Sequence, residues 1–177
     1  MNHKILSAIF HRSRRAAGPN GFTLMELLIV MAIITILVLL FAKSFPAYMK
    51  HAHELAAKKN ILDIETAEIT YESDYPAVGY ACKLSNLGGD PGAGPATPTA
   101  AHLISPSLAA GASNGYVFSI VNCTKAPGSS TERISGYEIT ALPETPGKSG
   151  DIGFCIDGYG TLKQDPTGGA NCTQPLQ

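Results

Sequence analysis

The chain has 177 residues, of which 45% are hydrophobic and 15% are charged, and its formal net charge is −1. This length suits one domain, and the composition excludes a collagen-like chain and a fully disordered one. A near-zero charge argues against a general polyanion binder, so we expect no nucleic-acid partner. The charge is unevenly distributed: residues 1–21 hold four basic and no acidic side chains, whereas the remainder holds nine basic and 14 acidic ones.

An apolar run follows this basic leader, from position 22 to position 42. As a helix it would rise about 31 Å, close to the roughly 30 Å hydrocarbon core of a bilayer. Only Thr23, Glu26 and Thr35 interrupt the run, whereas an amphipathic helix of a globular domain has polar residues at every third or fourth position. The pattern therefore predicts a transmembrane helix over residues 22–45.

A cleaved secretory signal is the alternative interpretation, with Ala42, Lys43 and Ser44 as the cleavage site. Two features disfavour it. The apolar stretch from 27 to 42, which contains only Thr35 as a polar residue, is slightly longer than the usual 7–15 residues. Glu26 would also cost about 2.5–3.5 kcal/mol at the membrane centre, so it needs a partner or a purpose.

The start of the apolar run carries a specific motif. Residues 21–30 read GFTLMELLIV, with Glu26 five positions after Gly21. Placed between a basic leader and an unbroken apolar run, this pattern resembles the class III N-methylation signal of type IV pilins and type II secretion pseudopilins. The resemblance extends more loosely through positions 45 and 46 and along a helix to position 76.

The resemblance implies a processing and assembly route. A prepilin peptidase, which also acts as the N-methyltransferase, would cut between Gly21 and Phe22 and methylate the new Phe22 amine. Glu26 would then pair with the Phe22 amine of a neighbouring subunit, because a buried carboxylate is tolerated only against an opposite charge. The precursor would be a single-pass inner-membrane protein in the lipid bilayer. Its other partners would be further pilin subunits and the inner-membrane assembly platform, and its destination an extracellular or periplasmic filament.

The segment after the apolar run is helical in composition as far as about position 73. Pro46 is its single breaker, so we expect it to kink or locally melt a continuous helix that begins at 22. Two apolar stripes follow nearly opposite faces: the first is Leu55, Leu62 and Ile69; the second is Ala57, Ile61, Ile64 and Tyr71, interrupted by Glu68. Two stripes predict one face against the protein's own head and one against neighbouring subunits, with a single oversized interface as the alternative.

The remaining residues predict a small head. Residues 76–115 are rich in Gly, Pro, Ala, Ser and Thr and predict a long loop, with a short helix at 102–110. Strand-like runs follow at 116–121, 137–142, 152–156 and 161–163. We therefore predict an α+β fold in which a long helix packs on an antiparallel meander. The expected organisation is a leader (1–21), a transmembrane or filament-core helix (22–45), an amphipathic helix (46–75) and a head (76–177).

Four cysteines, all beyond position 80 and without a C-x-x-C pair, indicate disulfides formed outside the cytoplasm. Four cysteines allow three pairings. We expect Cys82–Cys123 and Cys155–Cys172, the second of which closes a short C-terminal span as pilins commonly do.

No sequence motif indicates an enzyme, a cofactor or a metal site. His51 and His53 point to different sides of a helix, and we expect both to be solvated. Glu65, Glu68 and Glu72 share a helix face without a partner base, so a solvated face is expected there too. Three aspartates occur in the C-terminal loops, where some pseudopilins bind calcium, but a dense D-x-D-x-D-G loop is absent from the sequence.

The sequence therefore predicts a structural, non-enzymatic subunit of a type IV pilus-like filament, polymerised through its N-terminal helix. A type II secretion pseudopilin is one alternative. A membrane-anchored binding module that does not polymerise, with the Gly-rich loop at 88–101 as its contact surface, is the other.

Overall fold

A computed structural model describes residues 21–42, 44–128 and 133–176. The chain divides after Lys43 into two compact units. The first contains helix α1, Leu24–Ala42, in which no side chain is buried. At 19 residues, α1 is long and apolar enough to cross a membrane. The predicted leader lies outside the described residues except for Gly21.

The second unit begins with helix α2, Phe45–Asp74, which has 30 residues. Pro46 lies in its first turn. A proline there removes no helical hydrogen bond, because the first N–H groups of a helix have no intrahelical partner. Pro46 is thus compatible with a helix start at Phe45. The kink expected at this point stays a prediction, since Lys43 is outside the described residues.

The two faces of α2 differ in burial, as the two stripes predict. Ala57, Ile61, Ile64 and Tyr71 are at most 1% exposed and form part of the core. Leu55, Leu62 and Ile69 are 65%, 43% and 53% exposed. The stripe that contains Ile61 therefore packs within the second unit, whereas the stripe that contains Leu62 is exposed in that unit.

The buried face of α2 packs against an antiparallel sheet. In the described residues the sheet has six strands in chain order: β1 Ala112–Ser113, β2 Tyr116–Lys125, β3 Ile134–Pro143, β4 Gly153–Asp157, β5 Leu162–Asp165 and β6 Gln174–Pro175. Helix α2 contacts the three central strands β2, β3 and β4, from which Phe118, Ile139 and Phe154 enter the core. The predicted α+β fold with an antiparallel meander is confirmed. The two-residue edge strands were not predicted.

The segment between α2 and β1, residues 75–111, is called the connector below. It contains helix α3 at Leu84–Leu87, a 3₁₀ turn at Pro91–Ala93 and helix α4 at Pro106–Ala109. The predicted loop thus also contains a second short helix and a 3₁₀ turn, and the helix expected at 102–110 is shorter. Leu84, Leu87 and Leu108 join the core, which gives the connector a fixed path over the head.

Two disulfides fasten the periphery of the head. Cys82 in the connector is bonded to Cys123 in β2, and Cys155 in β4 is bonded to Cys172. This is the pairing given by the sequence analysis. The register between β2 and β3 shifts around Cys123, beside Asn122 with its positive φ of 52°. Each bond ties a segment outside the main sheet to a central strand.

Candidate assembly site

The N-terminal turn of α1 holds the predicted assembly residue Glu26 and joins it to Thr23. Thr23 precedes the helix, and its N–H and hydroxyl both donate to Glu26 Oε2, at 3.0 and 2.8 Å. The Glu26 N–H donates in return to Thr23 Oγ1 at 3.1 Å. This reciprocal arrangement is a capping box, which satisfies free N–H groups at a helix start. The spacing T-x-x-E at positions 23–26 of the motif is the sequence signal of this box.

The carboxylate of Glu26 keeps acceptor capacity beyond this box. An ionised carboxylate offers about four lone-pair positions, and the two hydrogen bonds from Thr23 both fall on Oε2. Within α1, the hydroxyl of Thr35 donates to the Met31 carbonyl of the same helix. Helix α1 is thus apolar except for the Glu26 carboxylate in its first turn, which can still accept a hydrogen bond from a cation.

The predicted processing residues, Gly21 and Phe22, lie just before this turn. Phe22 is 81% exposed. No atom of the described chain lies within 4 Å of a Cβ built on Gly21. Both are therefore accessible to another protein.

The exposed face of α2 forms a second apolar surface. It consists of Tyr48, Leu55, Leu62 and Ile69, spaced seven residues apart, and is called the α2 stripe below. Tyr48, which is 72% exposed, was missed in the sequence analysis, although its spacing signals it. Beside the stripe, the hydroxyls of Thr66 and Thr70 donate to carbonyls of α2 itself. Those hydroxyls need no further acceptor, so the surface suits an apolar partner.

The acidic residues on the other side of α2 correct an expectation. Glu68 is fully buried rather than solvated. Its Oε2 accepts a hydrogen bond from the Ala81 N–H at 2.7 Å, and burial raises its pKa to about 8. Glu72 is half-buried and pairs with Arg133 at 2.5 Å. The sequence contains a signal for the burial of Glu68, because position 68 lies within the apolar stripe that faces the core.

The first half of α2 is fastened to the loop before β4. Lys50 Nζ lies 2.6 Å from Asp151 Oδ2, and Glu54 Oε1 accepts a hydrogen bond from the Asp151 N–H at 3.0 Å. His53 is half-buried rather than solvated, with Nδ1 3.1 Å from the Ser149 carbonyl oxygen. These contacts are structural and leave the α2 stripe uncovered.

The C-terminal aspartates do not converge. Asp157 accepts hydrogen bonds from the Tyr159 and Thr161 N–H groups, which close a turn. Asp165 accepts from the Thr167 hydroxyl and from the Thr167 and Asn171 N–H groups, and these bonds lower its pKa. In the part of the chain that the structure describes, no group of three or more His, Cys, Asp or Glu side chains could hold a metal ion.

Comparison with known protein families identifies the N-terminal segment. Residues 18–42 match the prokaryotic N-terminal methylation motif. The match supports a type IV pilin-like prepilin and does not distinguish a pilin from a pseudopilin. Proteins with this motif are structural subunits rather than enzymes. No curated protein and no solved structure matches the chain.

Proposed function

We propose that the protein is a structural subunit of a type IV pilus-like filament that polymerises through α1. One observation carries the proposal: α1 is apolar on all sides, has no buried side chain and holds a single carboxylate at its first turn. A helix that is apolar all round requires lipid or other helices as its surroundings. The precursor obtains lipid in the inner membrane, and the filament provides neighbouring α1 helices.

The exchange of lipid for neighbouring helices centres on Glu26. Cleavage between Gly21 and Phe22 by a prepilin peptidase creates an amine, which the same enzyme methylates. In the bilayer, the capping box with Thr23 stabilises the carboxylate until a partner arrives. In the filament, the Phe22 amine of a neighbouring subunit binds the remaining acceptor positions. Because an unpaired charge is costly in an apolar core, this pairing sets the axial register of the subunits.

The α2 stripe provides the second contact of the subunit with the filament. Its four side chains are exposed in the head, and they continue at seven-residue spacing along one side of the helix. Fully burying one large aliphatic side chain stabilises by about 1.5–3 kcal/mol. We therefore place the stripe against apolar segments of neighbouring subunits, on the inner side of the filament.

The test of this proposal is mass spectrometry of the N-terminal peptide from sheared and envelope fractions. We expect a peptide that begins at N-methylated Phe22, because Gly21 and Phe22 are accessible and lie in the matched motif. A peptide beginning near Phe45, or an intact Met1, would show a cleaved signal or a permanent anchor. Either result would favour the non-polymerising binding module.

Replacing Glu26 with Ala separates processing from assembly. We expect the variant to be cut and methylated, since the peptidase site is unchanged, but to yield no sheared filaments or misregistered ones. Immunoblotting of sheared fractions measures this, and Thr35→Ala is the matched control, because its hydroxyl is bonded within α1. Normal filaments from Glu26→Ala would contradict the role of the carboxylate.

A secretion pseudopilus is the second candidate, because the methylation motif is common to both classes. We favour a surface pilus on account of two disulfides and a long connector whose residues 91–99 are exposed. Immunogold labelling distinguishes them: label on filaments beyond the outer surface indicates a pilus, and label confined to the periplasm indicates a pseudopilus.

A further inference from the structure

A buried carboxyl group joins α2 to the connector. Glu68 has no exposed surface, and its Oε2 accepts a hydrogen bond from the Ala81 N–H at 2.7 Å. Its Oε1 is buried without a hydrogen-bond partner among the described residues. A fully buried acid with one unpartnered oxygen is costly when ionised, because burial removes hydration that no cation replaces.

Among the residues that the structure describes, the surroundings of Glu68 hold phenols, and the nearby cation, Arg133, is already paired. Tyr80 stacks edge-on against Tyr137 at 4.8 Å between ring centroids, and the Tyr71 hydroxyl donates to the Pro98 carbonyl at 2.7 Å. Arg133 is engaged by Glu72 and by the Pro76 carbonyl. Among the described residues, the titratable and charged groups around the carboxyl are Tyr71 and Tyr137, whose pKa its charge raises, and Tyr75 and Tyr80, which pack on those two rings. Glu65 and Glu72 lie on the same face of α2, and Arg133 pairs with Glu72.

We propose that Glu68 is a proton-controlled latch, which holds the connector at Ala81 against α2 when protonated and releases it when ionised. The function of the latch lies outside filament assembly and does not depend on it. It makes the packing of the connector tighter in acidic surroundings than in alkaline ones.

The direction in which pH changes the latch follows from the pKa of Glu68 in the closed state and in the open state. Burial raises the pKa of Glu68 from 4.5 to about 8, while the hydrogen bond from Ala81 opposes this rise. In the open state the carboxyl meets water and takes its ordinary pKa. The contribution of the latch is therefore complete below about pH 4.5, is lost progressively as the pH rises to about 8, and changes no further above that. Burial also raises the pKa of Tyr71 and Tyr137, so both phenols stay neutral throughout this range.

Two anchors confine the opening to a short segment. Before Ala81, the Tyr80 N–H donates to the Ile134 carbonyl and the Ile134 N–H to the Val78 carbonyl. After Ala81, Cys82 is bonded to Cys123. The N–H of Ala81 can thus separate from Glu68 while the connector remains attached on both sides. Local opening of this kind costs less than global unfolding and is measured by hydrogen exchange.

The test is hydrogen exchange at the Ala81 amide of the full chain in detergent micelles between pH 5.5 and 7.5. After correction for intrinsic exchange, we expect the protection factor to fall by about tenfold per pH unit, because opening releases one proton. Glu68→Gln, which cannot ionise, should show little pH dependence. Glu65→Gln, a half-buried acid one turn earlier, is the matched control and should behave like the wild type.

A change of less than twofold in the wild type, or an unchanged pH dependence in Glu68→Gln, would overturn the proposal. A titration of the Glu68 carboxyl carbon by NMR in the wild type provides a test that needs no variant. A midpoint near pH 8 supports the latch, and a midpoint below pH 5 excludes it. The second measurement decides the question if Glu68→Gln fails to fold.

Discussion

Helices α1 and α2 both expose large apolar side chains, but they do so in different ways. In α1 every described residue is exposed, and apolar side chains cover all sides of the helix. In α2 one stripe is buried in the head and the opposite stripe is exposed. Among the described residues, α1 thus leaves its whole surface exposed, whereas α2 leaves only one face exposed.

This difference separates the residues that stabilise the head from those that we propose act in assembly. The buried face of α2 stabilises the head through Ala57, Ile61, Ile64 and Tyr71, so changes there act on folding. The α2 stripe and α1 are exposed and contribute little to the fold of the head, so we expect changes there to act on the proposed association. Neighbouring residues of α2, such as Ile61 and Leu62, fall on different sides of this division and provide a direct test of it.

The largest expected effect on stability comes from Ile61→Ala. Ile61 has no exposed surface, and truncating a buried isoleucine leaves a cavity that costs about 2–5 kcal/mol. We expect the free energy of unfolding of the head to fall by this amount. Chemical denaturation of the full chain in micelles measures it. Tyrosine fluorescence serves as the probe, because the chain has seven tyrosines and no tryptophan.

The matched control is Leu62→Ala, at the next position. Leu62 is 43% exposed, and the expected change in unfolding free energy is within about 0.5 kcal/mol. In a filament assay the order should reverse, with Leu62→Ala reducing the yield of sheared filaments although its head remains stable. If the two variants had equal effects on stability, the division of α2 into two faces would be wrong.

The division of α2 could be predicted because it rests on periodicity. Residues 55, 62 and 69 recur every seven positions, and 57, 61, 64 and 71 follow the opposite side, whatever the partner is. The central strands were predictable for a related reason: the runs starting at Tyr116 and Tyr137 are β-branched, aromatic and alternating. In both cases the local pattern agrees with the tertiary packing.

The path of the connector could not be predicted in this way, and the pattern of α2 signals the position of Glu68 but not its partner. Gly and Pro punctuate residues 75–111, and their composition does not reveal that Leu84, Leu87 and Leu108 enter the core. Glu68 occupies a core-facing position, but its charge favoured a solvated interpretation. Its hydrogen bond from the Ala81 N–H, 13 positions away, is a tertiary contact that no local pattern indicates. Edge strands of two residues, such as Ala112–Ser113, are too short to form a pattern.

A smaller effect is expected from Tyr71→Phe, which removes one hydrogen bond from the buried face of α2. The Tyr71 hydroxyl donates to the Pro98 carbonyl at 2.7 Å and so attaches the exposed part of the connector to the helix. Its loss should cost about 1 kcal/mol, since the ring remains buried and a single net hydrogen bond contributes about that much. Hydrogen exchange across residues 96–101 should accelerate, while exchange in β3 should not.

Tyr75→Phe is the control, because the Tyr75 ring packs against the Tyr71 ring at 4.9 Å between centroids but is only partly buried. Equal acceleration in both variants would show that the hydrogen bond from Tyr71 to the Pro98 carbonyl does not specifically hold this part of the connector on α2.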